Sequence, residues 1–441
     1  MAPYRVALQE YGDPVLCSTD HIDLRALESA NQRWRKALGL AVNPIGVEEH
    51  SDGVVKLRAE AVTGVIRVGD TDIEIAPKFL SIENGSWQSV LWHILTVVEG
   101  GYLDEDVTTA HELASLAMSD LLAEIFLTSY SRGAARGLPR SYVTEQAVGN
   151  TLRGSLDLTR TGQWLAHPWA VPYVSDLLTD GTSLARLLRW TAECLASTVK
   201  TPARARALVE VAAALAHVGR RPPHLIDARR ISLGVQHHRL EAARVVGVLL
   251  LEGAGVHHAA GQHELSGFLW KSDTVYENYI FWLCRRAAAT CGFRVGKAAV
   301  RFGELVSGEG TRLETTPDVV FRSAQGQPVA VADSKYKRLG SRPKAPDTYQ
   351  VLTAGQVLGC QRAALTYPVD HDREATTWRV PSALGGADIA LTALPLNLMA
   401  LTTTSGPSLL IGRLVSWLEN DLFNSGRRSS PPSSEICSIQ R

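Results

Sequence analysis

The sequence is poor in cysteine, and none of its cysteines forms a close pair. The 441 residues include six cysteines, which are scattered without a C-x-x-C spacing. A zinc ribbon needs such pairs, and a disulfide scaffold needs a denser set of cysteines. Both classes are therefore excluded. The cysteine content suits a reducing compartment, so we expect a cytoplasmic protein.

The sequence also lacks an excess of charge of either sign. Lys and Arg together number 45, as do Asp and Glu. A protein that attracts nucleic acid through its overall charge carries a positive field. Any surface for nucleic acid must therefore be local, or must be completed by a partner.

Long apolar runs and phosphate-binding loops are missing as well. The longest apolar run, Val245–Leu251, is too short to span a bilayer. The polar start of the chain predicts no signal peptide, and we expect no membrane partner. The sequence has no glycine-rich loop that ends in Lys-Ser or Lys-Thr, so we do not expect the chain to hydrolyse nucleotides by itself.

Four regions of the sequence differ in pattern, and the length suits two or three domains. Residues 1–100 predict a small β-rich domain, and residues 101–260 predict a mainly helical region. Residues 261–423 alternate helix and strand signals, as an α/β domain does. Residues 424–441 are rich in Ser, Pro and Arg and predict a disordered tail. The expected class is a multidomain α+β and α/β protein.

Local patterns assign several elements within the first two regions. Short β-branched runs at Val54–Arg58 and Gly64–Val68 predict strands. Asp70–Ile75 alternates polar and apolar residues, which predicts a strand buried on one face. Apolar residues at three- and four-residue spacing predict helices over Leu113–Tyr130 and Ser183–Val199.

Two strands joined by a tight turn are predicted in the third region. Thr316–Phe321 and Val329–Lys337 have strand patterns, and Gln325-Gly326 between them offers a glycine for the positive φ of a two-residue turn. In that register Pro328 opposes Ser323, where its missing N–H costs no hydrogen bond. A bulge that shifts the pairing by one residue stays open, because glutamine is a poor first residue for such a turn.

The same register places Asp318 opposite Asp333 and Thr316 opposite Lys335. Side chains alternate between faces, so Asp318, Asp333 and Lys335 share one face. Opposed Cβ atoms lie roughly 4.5–5.5 Å apart. Two carboxylates that close repel each other unless a cation lies between them.

A hard divalent ion, Mg²⁺ (or Mn²⁺), would satisfy this pair of carboxylates. Such a site suits phosphodiester hydrolysis, in which Lys335 would orient a water molecule or neutralise developing charge. The alternative interpretation is an exposed hairpin with solvated charges, since a D-x-K triplet alone is common by chance.

The order Pro317-Asp318 and then Asp333-Ser334-Lys335 resembles the motif of the PD-(D/E)xK nuclease superfamily. Asp333–Lys337 is also similar to the D-x-K-Y-K signature of the McrC family, the nuclease subunit of McrBC-type modified-cytosine restriction systems. The resemblance covers most of residues 60–400. It rests on further segments in the family's order: Gly64–Ile66 with Ile75–Lys78, Arg136–Tyr142, Leu152–Asp157, Asp347–Gln350 and Leu365–Pro368. It departs at Gly181–Ser183, where the family pattern has an asparagine.

The resemblance implies a C-terminal PD-(D/E)xK restriction-endonuclease-like α/β domain and adds two residues to its site. Superfamily members place an acidic residue on the helix before the hairpin, which makes Glu277 a third metal ligand on a face turned toward the core. Gln350 matches a glutamine beside the active site. Glu277 with Thr274, and Gln350 with Asp347, also fit helix capping, and this alternative stays open.

The resemblance also implies a partner. McrC proteins work with McrB, a hexameric AAA+ GTPase, and their N-terminal and helical regions dock into its ring. The expected function is therefore an endonuclease subunit that stimulates a McrB-like GTPase and cuts foreign or modified double-stranded DNA. Two alternatives are a nuclease with an ATP-using ring of different specificity, and a catalytically silent activator of a ring. The intact Asp318, Asp333 and Lys335 argue against a silent site.

Overall fold

The fold is a mixture of helices and several sheets, as the sequence predicts. The computed structural model describes residues 4–51, 53–69, 71–80, 87–98, 118–135, 137–253, 265–303, 313–381 and 388–419. The tail predicted at 424–441 and the start of the helix predicted at Leu113–Tyr130 lie outside these ranges. The chain divides into two compact units, which we call unit 1 (residues 1–275) and unit 2 (residues 276–441). The four-region division of the sequence stays a prediction.

Unit 1 contains both strands and helices. Its strands are β1 (Tyr4–Gln9), β2 (Val15–Ser18), β3 (Ile45–Ser51), β4 (Val54–Ala59), β5 (Val62–Val68), β6 (Thr71–Ala76), β7 (Ser141–Gly149), β8 (Ser155–Leu156), β9 (Val171–Thr179) and β10 (Leu265–Lys271). Its helices are α1 (Leu24–Ala37), α2 (Trp87–Val98), α3 (Met118–Ala134), α4 (Thr161–Ala166), α5 (Ser183–Ala196), α6 (Pro202–Ala214), α7 (Leu225–Arg230), α8 (Glu241–Gly253) and the start of α9 (Ser272–Thr290). The described helices include none that is long and apolar enough to cross a membrane.

Two sheets of unit 1 share one core. The sheet β2-β4-β3 and the sheet β1-β6-β5-β10 bury their apolar side chains together with those of α1. Strand β10 pairs antiparallel with β5 although the two are distant in sequence. Gly64 makes the close approach possible, because its φ is +136° and a Cβ there would lie 2.1 Å from the Phe268 carbonyl oxygen. The sequence pattern places the residues of β10 in the third region and does not predict this pairing.

Strand β6 departs from its predicted burial. The alternation of polar and apolar residues predicted one solvated face, but all six residues are buried. The two acidic residues, Asp72 and Glu74, are instead compensated by cations. Arg67 binds Asp72 at 2.7 Å, and Arg5 binds Glu74 at 2.6 Å. Lys200 lies 3.3 Å from Asp72 and 3.1 Å from Glu74. The prediction was wrong because charge pairing lets a polar face be buried.

The middle of unit 1 contains the predicted helix α5 and a sheet that helical periodicity did not predict. Strands β7 and β9 pair antiparallel over nine residues each, and β8 adds a short third strand beside β9. The pattern of Arg153–Leu158 also predicts a short strand, and this strand is confirmed as β8. Residues of β7 are mostly exposed, so its sequence has no core-facing alternation from which a strand is predicted.

Unit 2 is built around a six-stranded sheet with the order β11-β14-β15-β16-β18-β17. Its central strands, β15, β16 and β18, run parallel and are almost wholly buried. The strands of unit 2 are β11 (Arg294–Gly296), β12 (Val300–Gly303), β13 (Leu313–Thr315), β14 (Val319–Arg322), β15 (Pro328–Ser334), β16 (Arg362–Val369), β17 (Thr376–Val380) and β18 (Ile389–Asn397). Strands β12 and β13 pair with each other in a separate two-stranded sheet. The helices that follow α9 are α10 (Ala345–Leu358) and α11 (Gly406–Glu419).

Candidate active site

The predicted hairpin is present, and its register near the acidic residues agrees with the sequence analysis. Val319 pairs with Ala332, Val320 with Val331, and Phe321 with Ala330. These pairs are buried and belong to the centre of the unit 2 sheet. The hairpin is therefore not the solvated, exposed element of the alternative interpretation.

The turn of the hairpin differs from the prediction. Ser323 N–H donates to the Gln327 carbonyl oxygen at 2.8 Å, and Gly326 N–H donates to the Ser323 carbonyl oxygen at 2.9 Å. The bond between Ser323 and Gln327 encloses a loop of three residues rather than two. Among these three residues only Gly326 has a positive φ, +85°. A two-residue turn of the predicted type needs a positive φ at both residues, which Gln325 disfavours.

A bulge compensates for the longer turn. Arg322 pairs with Pro328, and the pairing shifts between Phe321 and Arg322. The prediction that Pro328 opposes Ser323 is therefore wrong. The bulge lies on the turn side of the hairpin and leaves the pairing beside Asp318 and Asp333 in the predicted register.

The two aspartates flank the last pair of this register. Asp318 precedes β14, and its carboxylate accepts hydrogen bonds from the backbone N–H of Ser334, at 2.7 Å, and from the Ser334 hydroxyl. Asp333 is only 2% exposed. Burial and the nearby negative charge of Asp318 raise the pKa of Asp333, and Lys335 opposes that rise. The site thus holds two neighbouring carboxylates with incomplete compensation.

Lys335 lies between acidic and amide oxygens. Its Nζ forms an ion pair with Asp333 and donates to Gln350 Oε1 at 3.0 Å. The backbone N–H of Lys335 donates to the Thr366 carbonyl oxygen of β16 at 2.9 Å. Strand β14 begins at Val319, so the predicted pairing of Thr316 with Lys335 does not form. The structure brings Asp333, Lys335 and Gln350 together.

Asp347 also belongs to this cluster, although its sequence pattern indicates only the start of a helix. It is buried, forms an ion pair with Lys337, and lies 3.9 Å from Lys335 Nζ. Helix α10 begins at Ala345 with Lys344 as its N-cap, so the capping alternative for Asp347 and Gln350 is wrong. The signal for this residue was its place at the start of the helix directly after the D-x-K-Y-K strand.

Glu277 has a different environment. Its carboxylate forms an ion pair with Lys297, and both side chains are partly exposed. The expectation that Glu277 points into the core is wrong, because its side chain is 36% exposed and its carboxylate pairs with Lys297. The capping alternative is wrong too, since the helix begins at Ser272, before Thr274. A role for Glu277 at a metal stays a prediction.

The donor set at the hairpin fits a hard divalent cation. Asp318 and Asp333 offer carboxylate oxygens, and burial together with the charge of Asp318 raises the pKa of Asp333. Magnesium is commonly held by one or two carboxylates together with water and substrate phosphate oxygens. Over the described ranges, no group of three or more His, Cys, Asp or Glu side chains is arranged around a metal position. Water and substrate oxygens would therefore complete the coordination.

Comparison with solved structures identifies the fold. A chain in the structure described as "Refined half-complex from tetradecameric assembly of Thermococcus gammatolerans McrB AAA+ hexamers with bound McrC" matches with a TM-score of 0.61 and 16% identity. The match covers 93% of this chain and 99% of that chain. A chain of the "Thermococcus gammatolerans McrBC complex" matches at a TM-score of 0.45 and 15% identity, over 64% of this chain and 88% of that chain, which is too distant to add to the argument.

Comparison of the sequence identifies the family. No curated protein matches the chain significantly. The family described as "McrBC 5-methylcytosine restriction system component" matches residues 57–368, which is well over half of the sequence and covers part of each unit. The resemblance inferred from the motifs is thereby confirmed, and the chain belongs to the family of McrBC 5-methylcytosine restriction system components.

Proposed function

We propose that this chain is the DNA-cleaving subunit of a McrBC-type restriction system and that unit 2 is a PD-(D/E)xK nuclease. One observation carries the proposal. Two carboxylates, Asp318 and the buried Asp333, adjoin at one end of a paired hairpin, with Lys335 in contact with Asp333. Membership of the family of McrBC restriction system components supports this proposal. The proposed substrate is foreign or modified double-stranded DNA.

Asp318 and Asp333 would hold Mg²⁺ (or Mn²⁺), and Glu277 would join them if its ion pair with Lys297 opened. Bound there, the ion would acidify a water molecule and polarise the scissile phosphate. The hydrogen bonds from Ser334 hold the Asp318 carboxylate in place, and burial in β15 fixes Asp333. The backbone of two paired strands thus presents both ligands before substrate binds.

Lys335 is the residue proposed to act on the reacting groups. Asp333 and Gln350 hold its amine from two sides, which restricts the amine to one position at the end of β15. A fixed ammonium group there would orient the attacking water and neutralise charge that develops on the phosphate. Gln350 positions the amine without carrying a charge that competes with the metal.

The test is cleavage of duplex DNA containing 5-methylcytosine by the full chain with a McrB-like AAA+ ring, GTP and Mg²⁺. We expect Asp333→Ala to abolish cleavage while stimulation of the ring's GTPase survives. Asp388→Ala is the matched control, because Asp388 forms an ion pair with Arg379 elsewhere in unit 2. The catalytic assignment is wrong if Asp333→Ala cuts as fast as the wild type. Replacing GTP with ATP tests whether the ring uses the other nucleotide.

The proposed partner is a hexameric AAA+ GTPase, and the β7–β9 ribbon of unit 1 supports such a partner. Tyr142 pairs with Leu178 and Val143 with Leu177, so apolar side chains lie on both faces of the ribbon. All four are exposed, Tyr142 by 72%. Trp169, just before β9, is exposed as well. An apolar surface of this kind marks a site of protein association.

Loss of this surface should uncouple the chain from its ring. We expect Tyr142→Ser/Leu178→Ser to weaken ring binding and GTPase stimulation by at least roughly tenfold. The control Ile226→Ser/Val235→Ser removes two other exposed apolar side chains of unit 1. Equal stimulation by both double variants would show that the ribbon does not contact the ring.

A further inference from the structure

The segment between β15 and α10 concentrates positive charge beside the candidate active site. We call residues 336–344 the basic loop. It contains Lys337, Arg338, Arg342 and Lys344, and it has no acidic residue. The loop follows Lys335 directly and ends where α10 brings Gln350 to the Lys335 amine. Its charge therefore lies next to the residues proposed to cleave DNA.

Contacts on both sides fix the backbone of the basic loop. Arg373 donates hydrogen bonds to the carbonyl oxygens of Leu339, at 3.0 Å, and Gly340, at 2.9 Å. Lys337 is anchored by its ion pair with Asp347. These contacts leave the side chains of Arg338, Arg342 and Lys344 available to a ligand. Because the backbone is already held in place, binding a ligand costs less conformational entropy.

The outer charges of the basic loop are exposed and uncompensated. Arg338, Arg342 and Lys344 are all exposed, and none forms an ion pair or side-chain hydrogen bond within the described residues. Several other basic residues of unit 2 are neutralised locally. The pairs that do so include Lys297 with Glu277, Arg301 with Glu314, and Arg379 with Asp388.

Acidic side chains limit the surface on one side. Asp370, Asp372 and Glu374 are exposed around the anchoring Arg373, and Asp370 is paired with His371. These carboxylates repel an anionic ligand from that segment. The attractive surface is therefore confined to the basic loop and the site that it borders.

We propose that Arg338, Arg342 and Lys344 bind backbone phosphates of duplex DNA and hold the strand at the active site. The proposal rests on the proposed nuclease function. Basic side chains that neutralise phosphates supply affinity independent of sequence, and they position the duplex for chemistry elsewhere. Because the chain as a whole carries no excess of positive charge, DNA binding by unit 2 needs a local basic surface, and the basic loop offers one.

The test measures how salt weakens binding of the full chain, assembled with its ring, to a short fluorescent duplex in Ca²⁺. We expect Arg338→Ala/Arg342→Ala to reduce the slope of log K against log salt by about 2, since each phosphate contact contributes about 0.9. Affinity should fall roughly tenfold or more at physiological salt. The control Arg285→Ala/Arg294→Ala removes two exposed arginines of unit 2 and should leave the slope unchanged.

Cleavage in Mg²⁺ separates this proposal from the proposed function. Arg338→Ala/Arg342→Ala should raise KM and leave kcat near wild type, and Arg338→Lys/Arg342→Lys should restore most of the affinity because charge is kept. A wild-type slope and KM in the alanine variant would overturn the loop proposal even where the nuclease is active. A reduced slope in a protein that never cuts DNA would uphold the loop and overturn the nuclease. Absence of any DNA binding would overturn both.

Discussion

Replacing Lys200 with methionine should destabilise unit 1 by about 2–3 kcal/mol, because it removes one cation from a buried cluster of ion pairs. Lys200 Nζ lies 3.3 Å from Asp72 and 3.1 Å from Glu74, and each carboxylate is 2% exposed. Removal of one partner of a buried ion pair costs about 3–5 kcal/mol. The expected loss is smaller because Arg67 still pairs with Asp72 and Arg5 with Glu74, and because Lys200 is itself 24% exposed. Methionine keeps the aliphatic stem, so the loss reports the charge.

The assay is urea-dependent hydrogen exchange in peptides that cover β6, which reports unit 1 without mixing in the unfolding of unit 2. Arg5→Met is the control, because Arg5 is 52% exposed and its pair with Glu74 should contribute less than about 1 kcal/mol. Adding Glu74→Gln to Lys200→Met should recover part of the loss by removing an undercompensated charge. Equal losses in Lys200→Met and Arg5→Met would refute this account of the buried cluster.

Three further outcomes are expected. Gly64→Ala should lower the stability of unit 1 by about 3–5 kcal/mol in urea unfolding, because the new Cβ would lie 2.1 Å from the Phe268 carbonyl oxygen. Asp333→Asn should stabilise the metal-free protein at neutral pH. Because the pKa of Asp333 is raised in the folded protein, its protonated form is favoured there, and this stabilisation is lost as pH rises through the raised pKa. The free energy of unfolding gained by Asp333→Asn should therefore disappear in urea titrations below the ordinary aspartate pKa. Gln350→Ala should lower kcat roughly 10- to 100-fold by releasing the Lys335 amine, and unchanged kcat would contradict that role.

The hairpin at the candidate site was predictable because its determinants are local. Alternation with period two and a short connection fixed which residues oppose each other, and Val319 does pair with Ala332. The type of turn could not be predicted from the same pattern. A three-residue loop plus a bulge gives the same pairing beside Asp318 as a two-residue turn does, so the pattern of the strands cannot distinguish them.

Contacts between segments distant in sequence could not be predicted from the sequence pattern. Strand β10 joins the sheet of β5 across most of unit 1, and nothing in its own residues names that partner. The ion pair of Glu277 with Lys297 likewise depends on where the chain returns after α9. Asp347 was missed as a site residue because a carboxylate in the first turn of a helix also fits capping. The pairing of β10 with β5 and the ion pair of Glu277 with Lys297 each depend on the positions of two separate segments of the chain.

Buried acidic residues on strands occur in both units. The number of cations beside them differs, and this difference separates a cluster that stabilises the fold from a candidate active site. In β6, Asp72 and Glu74 face three cations, which are Arg5, Arg67 and Lys200. That cluster is supplied with more positive than negative side chains. Such an arrangement stabilises a buried charge and leaves nothing for a ligand to neutralise.

At the hairpin the balance is reversed. Within the described part of unit 2, Asp318 and Asp333 have one cation between them, Lys335, and Lys335 also faces Asp347. Lys337 does not supply the difference, because it forms an ion pair with Asp347. The pKa of Asp333 is raised, as expected where burial and a second carboxylate outweigh one ammonium group. We therefore expect this end of the two strands to bind a cation, and the imbalance of charge supports the proposed metal-dependent nuclease more strongly than the D-x-K motif does.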